Sequence, residues 1–375
     1  MPTLDIALPM ALLLVVTVAF FLNKRAEKKL KDTIETKEFQ TNDLFMFVGV
    51  LAVVISVIAL TTFINSESMF ENILLGIFLG TYTMLLFTLT HIYSDIKKKR
   101  AQLFSIGFGA VSLIAGVASL LAQFKDSFTL FRCGAFFGLA VVCFVIAIYE
   151  QKKDCEKKVN WKLAIQPPAL FLLFFVFFNI LHTDGTLNIW YPYLLDIFGA
   201  VFAILIIIYL NSLFSWKTVG IFAVLLTIID VILVFSGPMV VAAKTFTGLG
   251  LPALIYLPNF PFVLNEPGIF TIDNMFFRGL GLGDFFFAGI LAIQTFKRFG
   301  KNYAYAAIAA MVVSFGIWDA YLPEITAFFG ISGFPATVCI ITGWIPIVLV
   351  GLLLHKKQEE PLASLPVTEL SDVSL

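Results

Sequence analysis

Apolar runs of roughly 20 residues recur from one end of this 375-residue chain to the other, and this recurrence constrains its fold more than any other feature. Each run is long enough to cross a hydrocarbon core about 30 Å thick. Lipid offers no water to pair with backbone N–H and C=O groups, so runs of this length must be helices; barrel strands would be shorter and would alternate. Charged residues make up 13% of the chain, where a soluble domain carries about a quarter. The pattern predicts an all-α polytopic membrane protein with about eleven spans, near 4–23, 43–63, 73–93, 102–123, 130–150, 163–182, 188–213, 217–237, 276–296, 303–322 and 334–354. The first is not a cleaved signal peptide, because its positive charges follow it and it is too long for an h-region.

The net charge is zero, but its distribution is ordered. Of 25 Lys and Arg residues, 21 fall in alternate connections (24–42, 94–101, 151–162, Lys217, 297–302 and the tail). Only Lys125, Arg132, Lys244 and Arg278 fall on the other side. The bias alternates at every connection, as the positive-inside rule requires, which places the N-terminus outside and the C-terminus in the cytoplasm. A miscounted span would break the alternation. The membrane would be the cell membrane of a prokaryote or an endomembrane of a eukaryote. The four cysteines (Cys133, Cys143, Cys155, Cys339) are scattered without a Cys-x-x-Cys, and His91, His182 and His355 lie far apart, so no disulfide framework or metal site is implied. No nucleic-acid partner is implied either. The polar tail 356–375, with two prolines, reads as disordered.

Four aspartates lie inside spans: Asp196, Asp230, Asp284 and Asp319. A carboxylate at bilayer depth costs roughly 3 kcal/mol on the insertion scale, and it marks either helix packing around a cavity or a function. Asp230, in LLTIIDVILVFSG, has no other charge from Thr218 to Ala243. Asp284 lies in FRGLGLGDFFFAGI. They occupy consecutive antiparallel spans, roughly 20 Å and 12 Å from opposite starting faces at 1.5 Å per residue. Both therefore sit at a similar depth, where two carboxylates can meet and share one proton. One such carboxylate can act as a base on water while the other donates a proton to a carbonyl oxygen, the chemistry of aspartic peptide hydrolysis. Asp196 and Asp319 have no partner by this depth argument and read as structural or cavity-lining. Gly279, Gly281 and Gly283 clear side chains from the approach to Asp284 and tolerate non-helical backbone. Irregular backbone at that depth implies a cavity or a cover of protein.

Gly281-Leu282-Gly283-Asp284 resembles the Gly-x-Gly-Asp motif of the presenilin and signal peptide peptidase family of intramembrane aspartyl proteases. The order of features agrees: an aspartate helix with Asp230, a connection 238–275, the helix with Asp284, one more span, then GFPATV with Pro335, Ala336 and Thr337 at the place of a Pro-Ala-Leu motif. The stretch IDVILVFSGPMVVAAK, 229–244, is similar to the signal peptide peptidase branch, and the inferred orientation agrees with that branch. Ile229 stands where the family usually has Tyr, and Thr337 where it has Leu. Literal Pro-Ala-Leu tripeptides occur at 168–170 and 252–254, out of the family's order.

The resemblance covers roughly 217–355 and implies a nine-helix core over 71–355, preceded by a two-helix extension with a basic loop, 1–70, and followed by the tail. It implies catalysis by Asp230 and Asp284, with substrate contacts from Gly281, Leu282, Gly283, Pro335, Ala336 and Thr337 and no metal or organic cofactor. The implied partners are transmembrane peptides or membrane proteins within the lipid bilayer, either signal-peptide remnants or type II segments; a homo-oligomer is left open. The connection 238–275 and the Pro335 region would present backbone to an unwound substrate helix by strand addition, with LIYLP and FPFVL suited to pair as strands or to lie at the interface. Two rival classes remain. One is an ion- or proton-coupled transporter, which would also use paired carboxylates and broken helices, although no second copy of the IID or GLGD segments is present. The other is a proteolytically inactive relative that binds transmembrane segments. GISG, 330–333, imitates a serine-protease motif, but His355, the only later histidine, lies about 34 Å of helix from Ser332. A zinc protease lacks its His-Glu-x-x-His.

Overall fold

The computed structural model describes residues 5–33, 69–94, 96–121, 128–152, 161–181, 189–261, 277–330 and 333–363. The chain is a helical membrane bundle with one short two-stranded ribbon. In order, the elements are α1 (Ala7–Thr33), α2 (Met69–Tyr93), α3 (Lys98–Leu121), α4 (Thr129–Lys152), α5 (Trp161–Ala164), α6 (Gln166–Phe175), α7 (Leu195–Asn211), α8 (Trp216–Ser236), α9 (Pro238–Gly248), β1 (Leu254–Pro258), β2 (Phe277–Gly281), α10 (Leu282–Phe299), α11 (Lys301–Ala320), α12 (Leu322–Phe329) and α13 (Ala336–Ala363). A π-helical turn, Val176–Ile180, extends α6, and a kinked turn, Trp190–Leu194, with extended backbone at Tyr191, leads into α7.

Among the described residues, eight helical segments are long and apolar enough to cross a membrane. They match the third to eighth, tenth and eleventh expected spans. The apolar part of α1, Ala7–Asn23, is shorter. The expected second span, 43–63, lies outside the described residues, as do Ser332 of the GISG motif and residues 364–375 of the tail. The first part of the tail differs from expectation. Helix α13 runs on to Ala363, and the segment Lys356-Lys357-Gln358-Glu359-Glu360 is made of good helix formers.

The ninth span, expected as a helix over 276–296, is corrected. Residues Phe277–Gly281 are a strand, and the helix begins only at Leu282. Glycine is a poor helix former, and here two of the five strand residues, Gly279 and Gly281, are glycine. The LIYLP segment offers a β-branched and aromatic partner strand. Asp284 is therefore in the first turn of a helix, not eight residues into one.

Helix α10 is the hub. It packs against α1, α7, α8, α11 and α13 and is buried almost all round from Phe285 to Thr295. Helices approach closely where side chains are missing. A Cβ on Gly289 would come within 2.6 Å of Ile207, and one on Gly343 would strike the backbone of Ala310. Helix α1 belongs to this core. Leu12, Val15, Val16 and Ala19 are buried, and the helix packs on α7, α10 and α11. The sequence division at residue 70 thus separates α1 from the helices it packs against. Asp5 and Ile6, at its start, bond to the backbone of Phe260 just after β1. At its far end Glu27 pairs with Lys297 of α10 at 2.8 Å, and Asn23, Asn211 and Gln294 form a buried amide chain. Gly351 of α13 also lies at that far end, against Phe299. The N-terminal residues and the C-terminal half of α13 therefore occupy opposite ends of the bundle.

Candidate active site

The ribbon is antiparallel and in fixed register, with Leu254 opposite Gly281, Tyr256 opposite Gly279 and Pro258 opposite Phe277. Its polar groups are held from several directions. Asp196 of α7 accepts the Tyr256 N–H at 2.6 Å. Arg278 of β2 pairs with Asp319 of α11 at 2.9 Å, and Asp319 is only 6% exposed. Asp5 accepts the Phe260 N–H at 2.9 Å. Trp190 donates to the Gly250 carbonyl at 2.7 Å, Asn179 to that of Leu249 at 2.9 Å and Tyr82 to that of Pro252 at 3.2 Å. The hydroxyls of Thr247 and Tyr256 bond to each other. The two aspartates read as structural thus have definite tasks: one holds each strand.

The capture of the Tyr256 N–H by Asp196 fixes which edge of the ribbon is open. Tyr256 does not use that group toward β2, so the Tyr256–Gly279 and Leu254–Gly281 pairs are the non-hydrogen-bonded kind. The backbone groups of Gly279 and Gly281 then point away from β1. Among the described residues β2 has no second strand on that side. Gly279 is glycine for packing as well, because a Cβ there would meet the Tyr256 ring at 2.7 Å.

Asp230 and Asp284 line the same cavity, of about 350 Å³. Asp230 comes from α8, which starts at a capping box of Ser215 with Thr218 and stops at Gly237, whose φ of 96° only glycine adopts readily. Pro238 then opens α9, which turns back over the cavity with Met239, Ala242, Ala243 and Phe246. Asp284 comes from the first turn of α10, where the positive end of the helix and its unpaired amides favour a carboxylate. Its Oδ2 lies 3.2 Å from where a Gly281 Cβ would stand, so the carboxylate folds back closely over the Gly281 backbone, and a side chain there would push it aside by a few tenths of an ångström. Both aspartates are partly open to the cavity. The remaining lining is almost wholly apolar.

Thr337 closes the site from the first turn of α13. Its Oγ1 donates to Asp230 Oδ2 at 2.6 Å, and its N–H points at the same oxygen at 3.4 Å. Gly281, Leu282 and Gly283 line the cavity beside it. Pro335 is buried just before the turn and accepts from the Val338 N–H at 3.2 Å. Ala336 faces a second groove of about 420 Å³, bounded by Gly279, Arg278, Trp318, Asp319, Phe334 and Cys339. The first turn of α13 therefore stands between the two spaces, and both abut the open edge of β2.

Several lining residues escape sequence reasoning. Phe78 and Tyr82 come from α2, far away in the chain, and no local pattern marks them. Ala253 and Leu254 do carry a signal. They belong to the Pro-Ala-Leu tripeptide at 252–254, which the family order sets aside, yet they line the cavity with Asp230. The other copy, 168–170, lies in α6. Among the described residues no group of three or more His, Cys, Asp or Glu side chains could hold a metal ion. No protein-family model matches this chain, and a search of curated proteins finds no match.

Proposed function

We propose that this protein is an intramembrane aspartic endopeptidase, with Asp230 and Asp284 as its dyad. The observation that carries the reading is the convergence of two carboxylates, from separate helices, on one otherwise apolar cavity beside an open strand edge. A transmembrane helix hides its amides, so a substrate must be extended before it can be cut. The outward backbone groups of Gly279 and the outward carbonyl of Gly281 suit such an extended segment, which would add to β2 and bring a peptide bond to the dyad, the Gly281 N–H being turned to Asp284.

The dyad would hold one proton. Water attacks the peptide carbonyl carbon as one carboxylate takes its proton, and the other carboxylate gives its proton to the carbonyl oxygen. The result is a gem-diol, with one proton still on the dyad. That proton passes to the amide nitrogen as the C–N bond breaks, and a gem-diol hydroxyl returns its proton to the second carboxylate. A carboxylic acid and an amine leave, and the dyad is restored. Substrates would be signal-peptide remnants or type II membrane segments, with the ribbon and the N-terminus outside and the C-terminal end of α13 in the cytoplasm. The resemblance to signal peptide peptidases and the charge alternation support that orientation.

The test is cleavage of a synthetic transmembrane peptide by purified protein in bilayers, with and without an aspartyl-protease transition-state inhibitor. Cleavage by wild type, abolished by the inhibitor and by Asp230→Ala or Asp284→Ala, is expected. Absence of both cleavage and inhibitor binding, together with proton flux across proteoliposomes, would favour an ion-coupled carrier instead.

A further inference from the structure

Of the four aspartates placed within the spans, Asp230 is the one that accepts a side-chain hydroxyl and a backbone N–H from the same residue. Asp196 and Asp319 bind the ribbon. Asp284, in the first turn of α10, has the Gly281 backbone amide but no side-chain donor among the described residues. Asp230 receives two donors from one residue: the Thr337 hydroxyl at 2.6 Å and the Thr337 amide at 3.4 Å, both on Oδ2. An amide N–H can only donate. Thr337 is 3% exposed and sits in a first helical turn, whose N–H groups lack intrahelical acceptors. The hydroxyl and the amide thus both find their acceptor in one carboxylate oxygen. Charge-assisted bonds of this kind favour the ionised acceptor over the neutral acid.

We propose that Thr337 is a positioning residue that assigns the two roles in the dyad: it holds Asp230 as the ionised base, with Oδ2 occupied and Oδ1 left for the attacking water, and so leaves the shared proton on Asp284. This rests on the protease reading above. In the first step water loses its proton to Asp230 while its oxygen bonds to the carbonyl carbon, and Asp284 delivers its proton to the carbonyl oxygen. In the second, Asp230 gives the proton to the leaving nitrogen and the gem-diol re-protonates Asp284. Thr337 exchanges no proton in either step. Among the described residues, Asp284 across the cavity, Cys339 in α13 and Tyr82 on α2 are the other titratable groups around Asp230, and none of them is a cation.

The experiment compares wild type, Thr337→Val and Thr337→Ser in bilayers, reading kcat, KM, the kcat–pH profile, inhibitor binding and thermal unfolding. Valine keeps the β-branch and removes the hydroxyl; serine keeps the hydroxyl. Loss of one hydrogen bond to a charged acceptor predicts a kcat roughly 10- to 100-fold lower in Thr337→Val. KM should change less than about twofold, and the acidic limb of the kcat–pH profile should move to higher pH. Thr337→Ser should stay within about threefold of wild type. Wild-type kcat and profile in Thr337→Val would overturn the proposal while leaving the protease reading intact. Equal losses in both variants, with an unmoved profile, would also overturn it and make Thr337 a packing residue. Wild type that neither cleaves nor binds inhibitor would overturn the protease reading, and the role assignment with it.

Discussion

The ribbon clamp and the dyad cavity lie side by side and use the same side chain for opposite ends. At the clamp, Asp196 and Asp319 are each matched by a donor: a backbone N–H in one case and a guanidinium in the other. These carboxylates are spent on structure. At the cavity, Asp230 and Asp284 face open space among apolar residues, and among the described residues one side-chain donor, the Thr337 hydroxyl, reaches one oxygen of Asp230. A buried carboxylate matched by a donor can hold structure even at the rim of a groove, as Asp319 does; one that faces an apolar cavity without a cation is costly and is kept for chemistry. The difference lies in what surrounds each aspartate, and a sequence does not display it.

The comparison can be broken most sharply at the dyad. Asp230→Asn or Asp284→Asn should lower peptide cleavage by about 10⁴-fold or more, yet leave thermal stability within about 1 kcal/mol of wild type or raise it. A large loss of stability in either would move that residue into the clamp class. Next in size is Arg278→Met, which strands Asp319 in a buried site. Breaking a buried pair from one side costs about 3–5 kcal/mol, and the double variant Arg278→Met/Asp319→Leu should recover most of it. Denaturation in bilayers reads both. Asp196→Ala should cost about 1–3 kcal/mol, because the Tyr256 N–H loses its acceptor, and it should weaken cleavage by loosening β1. Smallest is Gln294→Leu, at the far end of the bundle. Its amide bonds to Asn211 and to the Phe214 carbonyl, so about 1–2 kcal/mol of stability should go while kcat holds.

Much of this was legible beforehand, and the parts that were not have physical reasons. Long apolar runs dictate helices in lipid, and the spans found fall close to their expected places. The depth argument brings Asp230 and Asp284 to one level, and they do line one cavity. The same argument wrongly carries helical geometry back through 277–281, because hydropathy measures apolarity and is blind to whether the backbone pairs within a helix or across a ribbon. The glycines there were the available sign. The partners of Asp196 and Asp319 lie 60 residues and 41 residues away in sequence, at positions only the fold brings together. Helix α1 looks like an appendage because the family resemblance is strongest late in the chain, but its buried Leu12, Val15, Val16 and Ala19 wedge it against α7, α10 and α11. Thr337 stood out only as a departure from a motif, whereas its hydroxyl proves to bind one of the two cavity carboxylates.

One panel of rates tests the division of labour directly: cleavage of a transmembrane peptide by wild type, Asp230→Asn, Asp284→Asn, Asp196→Asn and Asp319→Asn, each at matched folded protein. The asparagines at 196 and 319 keep an oxygen to accept from Tyr256 and Arg278, so those two variants should retain cleavage within about tenfold of wild type. The asparagines at 230 and 284 cannot exchange the shared proton, so those two should show none. Cleavage that survives in either Asp230→Asn or Asp284→Asn would contradict the dyad.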